Sequence, residues 1–404
     1  MRVHRNLAVL GALLVAAPFV AVGAIAGASS PTGVAHRSVP VCAVPLSGFA
    51  ACDAILSEAL DTSGQVVPNA APSGYAPSDL QSAYGLTSAS STAGTGQTIG
   101  IVDAYNDPTV ESDLGTYRAQ FGLGACTSQS GCLTVVNQSG GSTLPRNDGG
   151  WAQEISLDVD MASAICPKCK ILLVEASSAS MANLGAAVDE AVALGATVIS
   201  NSWGGRASRS DSTYDTYFDH SGVAITASSG DSGYGAQYPA ASPYVTAVGG
   251  TTLLQVTGGR GWSETAWSGS GSGCSKYDAQ PSWQSSLSAL TSVCDHRAIA
   301  DVSATADPAH GVAVFDSFQY RGVSGWLVFG GTSVSSPIIA SIYALAGNAS
   351  GVSDGSTPYT LGTSANLNDV TSGSNGHCRN LLCTAGTGWD GPTGLGTPSG
   401  TGAF

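Results

Sequence analysis

Gly330-Gly331-Thr332-Ser333-Val334-Ser335-Ser336-Pro337 joins an apolar strand candidate, residues 326–329, to an apolar helix candidate, residues 333–346. Two glycines permit a sharp turn and the close approach of another chain. A serine at the start of a helix stands beside free backbone N–H groups and the positive end of the helix dipole. That setting suits an oxygen nucleophile, yet an ordinary N-cap serine has the same local signature. The run therefore needs company before it signifies chemistry.

Outward from this turn, short runs of Val, Ile and Leu end in Gly, Ser or Asp and alternate with helical stretches. Strand candidates are residues 98–104, 171–175, 197–202, 223–228, 244–248, 312–315 and 326–329; helix candidates are 109–121, 151–165, 181–194 and 333–346. The alternation predicts an α/β fold with a buried, mostly parallel central sheet and right-handed crossovers. Functional groups of such sheets collect at the carboxyl ends of the strands. No internal repeat is visible, and the Gly/Ser-rich residues 268–275 read as a surface loop.

The N-terminus reads as an export signal. Arg2, His4 and Arg5 lead into an apolar run from Leu7 to about Ala28 that closes on Ala26-Gly27-Ala28. Residues 1–28 are expected to be a cleaved signal peptide, with a signal anchor as the competing reading. Residues 29–76, rich in Pro, Ala, Ser and Val, read as a short pro-segment or N-terminal arm, and residues 77–404 as the main domain.

Ten cysteines suit an oxidising compartment and fall in local pairs: Cys42/Cys52, Cys126/Cys132, Cys166/Cys169, Cys274/Cys294 and Cys378/Cys383. Those five bridges are expected, although connectivity stays open at this level. Cys166-Pro167-Lys168-Cys169 also has redox or zinc-ligand spacing, but no second such pair supports it. Charged residues make up 10% of the chain and the net charge is -14, which argues against nucleic acid as a partner. So few charges suit an acidic medium, where protonated carboxylates leave Lys and Arg to repel one another. The expectation is a secreted, extracellular monomer with no membrane attachment after signal removal.

Two further segments accompany Ser333. Gly149-Gly150-Trp151-Ala152-Gln153-Glu154-Ile155-Ser156-Leu157-Asp158-Val159-Asp160 places Glu154 and Asp158 four apart, on one face of a helix. Ile155, Val159 and Ala162 form one apolar row, and Leu157, Met161 and Ile165 another. A helix apolar on both flanks is buried, which confines two like charges that must share a proton or repel. The alternative is a solvated acidic helix start. The third segment, Gly222-Val223-Ala224-Ile225-Thr226-Ala227-Ser228-Ser229-Gly230-Asp231-Ser232-Gly233, is a buried strand ending in a small-residue loop with one acid, or else a plain turn.

Together these motifs resemble the sedolisin (serine-carboxyl peptidase) family of the subtilisin-like superfamily. Gly-Gly-Thr-Ser-x-Ser-x-Pro is the nucleophile motif that subtilisins and sedolisins share. Subtilisins also need an Asp-Thr-Gly strand end and a His-Gly on a helix. Here the first position reads Val102-Asp103-Ala104-Tyr105, and His220, His296, His310 and His377 all lie outside a matching context. The neutral subtilisin reading is disfavoured. Tyr84-Gly85-Leu86, Ser200-Asn201-Ser202-Trp203-Gly204 and Asp301-Val302-Ser303-Ala304 look like further family landmarks, so the likeness runs over about residues 77–400.

The resemblance implies a subtilisin-like three-layer fold with a mostly parallel central sheet. It implies a Ser333 nucleophile, a Glu154 base, Asp158 orienting Glu154, and a protonated Asp231 as oxyanion donor. Ser202, Trp203 and Gly204 would pair with substrate backbone, and Ser228, Ser229 and Gly230 would border the first specificity pocket. One structural Ca2+ is implied on Asp369, Asp390 and the carbonyls of Val370, Gly386 and Gly388. Two carboxylates and backbone carbonyls are hard oxygen donors of the kind calcium prefers. The implied activity is acid peptide-bond hydrolysis through an acyl-enzyme, by an endopeptidase or a tripeptidyl-type peptidase acting on protein or peptide substrates. A carboxylate base fits acid pH, because histidine, with a pKa of about 6.5, is protonated where glutamate, at about 4.3, still accepts a proton. The reading from another class is a secreted pseudo-peptidase that binds without turnover. The family's long N-terminal pro-domain has no counterpart of that length before residue 77.

Overall fold

Thr98–Ala104 is buried from Ile99 onward, as a strand covered by helices on both faces must be. In the computed structural model, which describes Met1 and residues 35–404, it forms the centre of an eight-stranded sheet. It pairs in parallel with Lys170–Ala176 on one side and Val198–Asn201 on the other. Leu133–Asn137 extends the first side in parallel. The second side continues through Ala224–Ser228 and Thr246–Gln255 to the antiparallel edge strand Trp262–Ala266, and Val302–Thr305 pairs in parallel with Thr246–Gln255. The expected signal peptide lies outside the described residues.

Gly100 faces the helix Met181–Ala193 so closely that a methyl group there would lie 3.3 Å from the Ala191 side chain. Side chains alternate along a strand, so Asp103 turns to the opposite face. The helices Gly149–Ile165 and Thr332–Ala346 pack on each other and on that face, which gives the three layers. Asp148 caps the first of these helices by accepting from the N–H groups of Gly150 and Trp151, and every residue from Gly150 to Ile165 is buried. Gly331, at φ +95°, turns the chain into the second, and Gly347, at φ +70°, ends it.

All five expected disulfides are present. One sequence expectation needs correction. Residues 268–275 are not a surface loop: Ser270 and Ser272 are fully buried, and a methyl group on Gly271 would meet the Ser229 carbonyl. Small residues there serve close backbone packing, with Gly271 N–H donating to Gly230 O at 2.7 Å. The N-terminal segment also carries more structure than its composition suggests. Ala35–Pro40 pairs with Ile55–Leu60, which in turn pairs with Val323–Gly330, the strand that leads into Ser333. Ala51–Cys52 pairs with Trp203–Arg206.

Candidate active site

The carboxyl ends of the parallel strands bring the candidate residues together. Asn201 ends its strand just before Ser202, Ser228 ends another just before Ser229-Gly230-Asp231, and Asp103 is the last residue but one of the central strand. Ser333 Oγ donates to the Ser202 carbonyl oxygen at 3.1 Å. Ser202 Oγ in turn donates to Asp158 Oδ1 at 2.8 Å.

Glu154 and Asp158 are fully buried beside each other. Burial pushes the Glu154 carboxyl well above its usual range, the charges of Asp158 and then Asp103 push it further, and the nearby Ser333 hydroxyl offsets part of the rise. Burial and the charge of Asp103 raise Asp158 as well. Asp103 has both oxygens buried without a partner, and burial lifts it to about 8. Sequence reasoning gave Asp103 no role. The available signal was its place at the carboxyl end of a buried strand.

Asp231 Oδ1 accepts from the Thr332 N–H at 2.7 Å and from Thr332 Oγ1 at 2.9 Å, while Oδ2 is buried without a partner. Burial, then the charge of Asp53, raises its pKa well above the ordinary aspartate value. A methyl group on Gly331 would land 2.4 Å from that free oxygen and 2.2 Å from the Asp53 carbonyl oxygen, so the two oxygens share one small space.

Asp53 belongs to the N-terminal segment, which crosses this site as an extended chain. Ala51 lies opposite Gly204 and Cys52 opposite Trp203, antiparallel. The Asp53 N–H donates to Ser202 O at 3.1 Å, and the Ser333 N–H donates to Asp53 O at 2.9 Å. The Asp53 carboxyl enters a recess where Ser228 Oγ donates to Oδ2 at 2.6 Å and Gln237 Nε2 donates to it at 2.5 Å. The sequence-predicted strand residues Ser202, Trp203 and Gly204 thus hold backbone. Of the loop residues, Ser228 touches the side chain, the Gly230 N–H donates to Thr332 Oγ1 at 3.0 Å, and the Ser229 N–H bonds Val248 O at 2.9 Å. Gln237 is a contact the sequence did not suggest.

Of the candidate calcium residues, Asp369 and Asp390 each accept from a glycine N–H of the same turn. The Gly388 N–H donates to Asp369 Oδ2 at 3.0 Å and the Gly386 N–H to Asp390 Oδ2 at 2.9 Å. Asp390 is pushed up to about 7, chiefly by burial, with the charge of Asp369 adding to it. Two carboxylates at one glycine-rich turn offer hard oxygen donors and a local excess of negative charge, which fits a hard divalent cation. The Cys378–Cys383 bridge lies between the two halves in sequence.

Comparisons with known proteins agree with this arrangement. A model described as the subtilase family matches residues 136–378. Kumamolisin from Bacillus sp. (strain MN-32) is 32% identical over 82% of this chain, and sedolisin from Pseudomonas sp. (strain 101) is 27% identical over 80%. The chain spans 63% and 60% of those two proteins' own lengths. A solved structure of Pseudomonas sedolisin, described as a serine-carboxyl proteinase complexed with two molecules of pseudo-iodotyrostatin, superposes with a TM-score of 0.67. That match covers 81% of this chain and 96% of the other at 27% identity. The chain belongs to the subtilase family and, within it, to the sedolisins.

Proposed function

We propose that this chain is a secreted, acid-active serine endopeptidase, working as a monomer on protein and peptide substrates through an acyl-enzyme on Ser333. The observation that carries this reading is the backbone register at the site. A peptide carbonyl, that of Asp53, is held on the Ser333 N–H, its own N–H lies on Ser202, and a buried carboxylate, Glu154, stands by the serine. The chain continues on both sides of that point, through Ala51–Cys52 upstream and Ile55–Leu60 downstream. A chain that passes through the site and continues on both sides favours an endopeptidase over a tripeptidyl-type enzyme.

In this mechanism Glu154 takes the Ser333 proton as Oγ attacks the peptide carbonyl. Asp158 and Asp103 share the acidic proton of the group, so that Glu154 is not opposed by two full charges. The Ser333 N–H and a protonated Asp231 hold the oxyanion. Asp231 can donate only while protonated, and its raised pKa extends that state upward in pH. Glu154 then passes the proton to the leaving amine, and water hydrolyses the ester by the reverse path. One calcium ion would be held by the carboxylates of Asp369 and Asp390 and the carbonyls of Val370, Gly386 and Gly388, supplying fixed positive charge that ties the loop. Digestion of a denatured protein at pH 3–5, with Ser333→Ala as control, tests the reading; full activity in that variant would refute it.

A further inference from the structure

The recess that receives Asp53 has a distinct chemistry. Gln237 closes it, and its amide lies against Gly204 and Gly230 where any side chain would collide: a methyl group would come within 2.2 Å and 2.9 Å of it. The glycines therefore make room for Gln237, and Gln237 leaves room for only a short side chain. Two donors, Ser228 Oγ and Gln237 Nε2, converge on one carboxyl oxygen. Asp53 is 8% exposed, and the ionisable groups facing it across the site are Glu154 and Asp231. No cation offsets the carboxyl in those contacts, and burial lifts Asp53 to about 7 despite both hydrogen bonds. An uncharged acceptor is what this recess is built to hold.

The geometry points to a first specificity pocket that takes an aspartyl side chain, and to the Asp53-Ala54 bond as the first bond this enzyme cuts. The inference rests on the peptidase reading above and names its substrate class. Ser333 Oγ bonds to the Asp53 carbonyl carbon, the C–N bond to Ala54 breaks, and the Ser333 proton passes through Glu154 to the Ala54 amine. Water then splits the ester, restoring the Ser333 hydroxyl and leaving a new carboxyl on Asp53. The cut pieces stay together at first. Cys42–Cys52 closes the loop on the Asp53 side, the Val41 N–H holds Ala54 O at 3.1 Å, and Ala35–Pro40 remains paired with Ile55–Leu60.

The test drops the full chain from neutral pH to pH 4 and maps new N-termini by mass spectrometry. The same sample then receives peptides differing only in Asp, Asn or Leu before the cut. Expected are a new Ala54 N-terminus, formed at a rate unchanged by tenfold dilution and missing in Ser333→Ala, and Asp and Asn peptides cut at least tenfold faster than Leu. Asn serves because its carbonyl accepts the same two bonds. Gln237→Leu, checked for folding by thermal unfolding, should shrink the Asp-to-Leu ratio at least fivefold. Cleavage without preference for Asp, or a first cut elsewhere in the chain, overturns the inference and leaves the peptidase reading standing. Cleavage of nothing at all overturns both.

Discussion

The Ser333 N–H donates to the Asp53 carbonyl oxygen at 2.9 Å, so the donor that would hold an oxyanion is engaged by the chain's own N-terminal segment. That segment is also held by the Asp53 N–H on Ser202, by the pairing of Ala51–Cys52 with Trp203–Arg206, and by the Cys42–Cys52 bridge. Any substrate must displace it. Opening a short disulfide loop typically removes about 2–4 kcal/mol of constraint. The double variant Cys42→Ser with Cys52→Ser should therefore dock the segment more weakly and shorten the lag before peptide hydrolysis at pH 4 at least tenfold. An unchanged lag would show that something other than this segment limits the onset.

Asp231 offers a separable prediction. If Oδ2 donates to the oxyanion, Asp231→Ala should lower kcat by about 10²–10³ with a smaller change in KM. An asparagine amide donates whatever the pH, whereas the aspartate loses its proton as pH rises. Asp231→Asn should then keep more activity than the alanine variant and carry the alkaline limb of the pH–rate profile upward. Coincident alkaline limbs in wild type and Asp231→Asn would remove Asp231 from that role.

Asp158 raises the proton affinity of Glu154 through its charge, second only to burial. Asp158→Asn removes that charge and keeps the shape. Glu154 should become easier to ionise, so the acid limb of kcat/KM should move to lower pH. The rate at the optimum should fall by about 10²-fold, the low end for losing a group in proton transfer. Glu154→Gln abolishes the acid limb altogether if Glu154 is the base. A limb that stays in place in both variants would assign it to another group.

Much of this arrangement was legible in the residues. Glu154 and Asp158 could be placed on one helical face by spacing alone, and the glycine turn before Ser333 announced itself through two residues with no side chain. Asp103 was not legible as a partner. Which carboxylate meets the helix Gly149–Ile165 depends on strand alternation and on which helix covers which face, and both are set by sheet order. The docked segment was hidden for a different reason. Ala51–Cys52 is held by backbone hydrogen bonds to a strand far along the chain, and such pairing leaves no periodic side-chain pattern. Gln237 was missed because its neighbour Gly204 lies on another strand, and only the fold shows the room that Gly204 and Gly230 leave.

The proposed calcium site can be tested without activity. If Asp369, Asp390 and the three carbonyls bind the ion in the folded state only, saturation stabilises that state by RT ln(1 + [Ca2+]/Kd), about 2.7 kcal/mol at a hundred times Kd. Chelation with EDTA should lower Tm, calcium should restore it, and Asp390→Ala should abolish the difference. A Tm indifferent to both chelator and calcium would remove the ion from the proposed fold support.

Stability should depend on pH in a sense opposite to that of most proteins. Burial lifts Asp103 to about 8, Glu175 to about 8, Asp316 to about 8 and Asp107 to about 6. In the unfolded chain the same groups titrate near 3.8 for Asp and 4.5 for Glu. Between the two ranges the folded state holds protons that the unfolded state has released. Stability from these groups is then fully present below about pH 4 and is lost progressively as pH rises from there to the folded values of about 6 to about 8. Two of these acids are neighbours, with Asp107 and Asp316 oxygens lying within 4.8 Å of each other, so each ionisation opposes the other. Asp316 Oδ2 has no hydrogen-bond partner to soften its charge. Thermal unfolding from pH 4 to pH 8 should show Tm falling, most steeply between about pH 5 and pH 6, where all four groups differ between the two states, and levelling off towards pH 8. Asp316→Asn, which keeps the shape and cannot ionise, should flatten the upper part of that fall. A Tm that rises or stays level between pH 5 and pH 8 would mean that these carboxyls are ionised in the fold and balanced by groups other than protons.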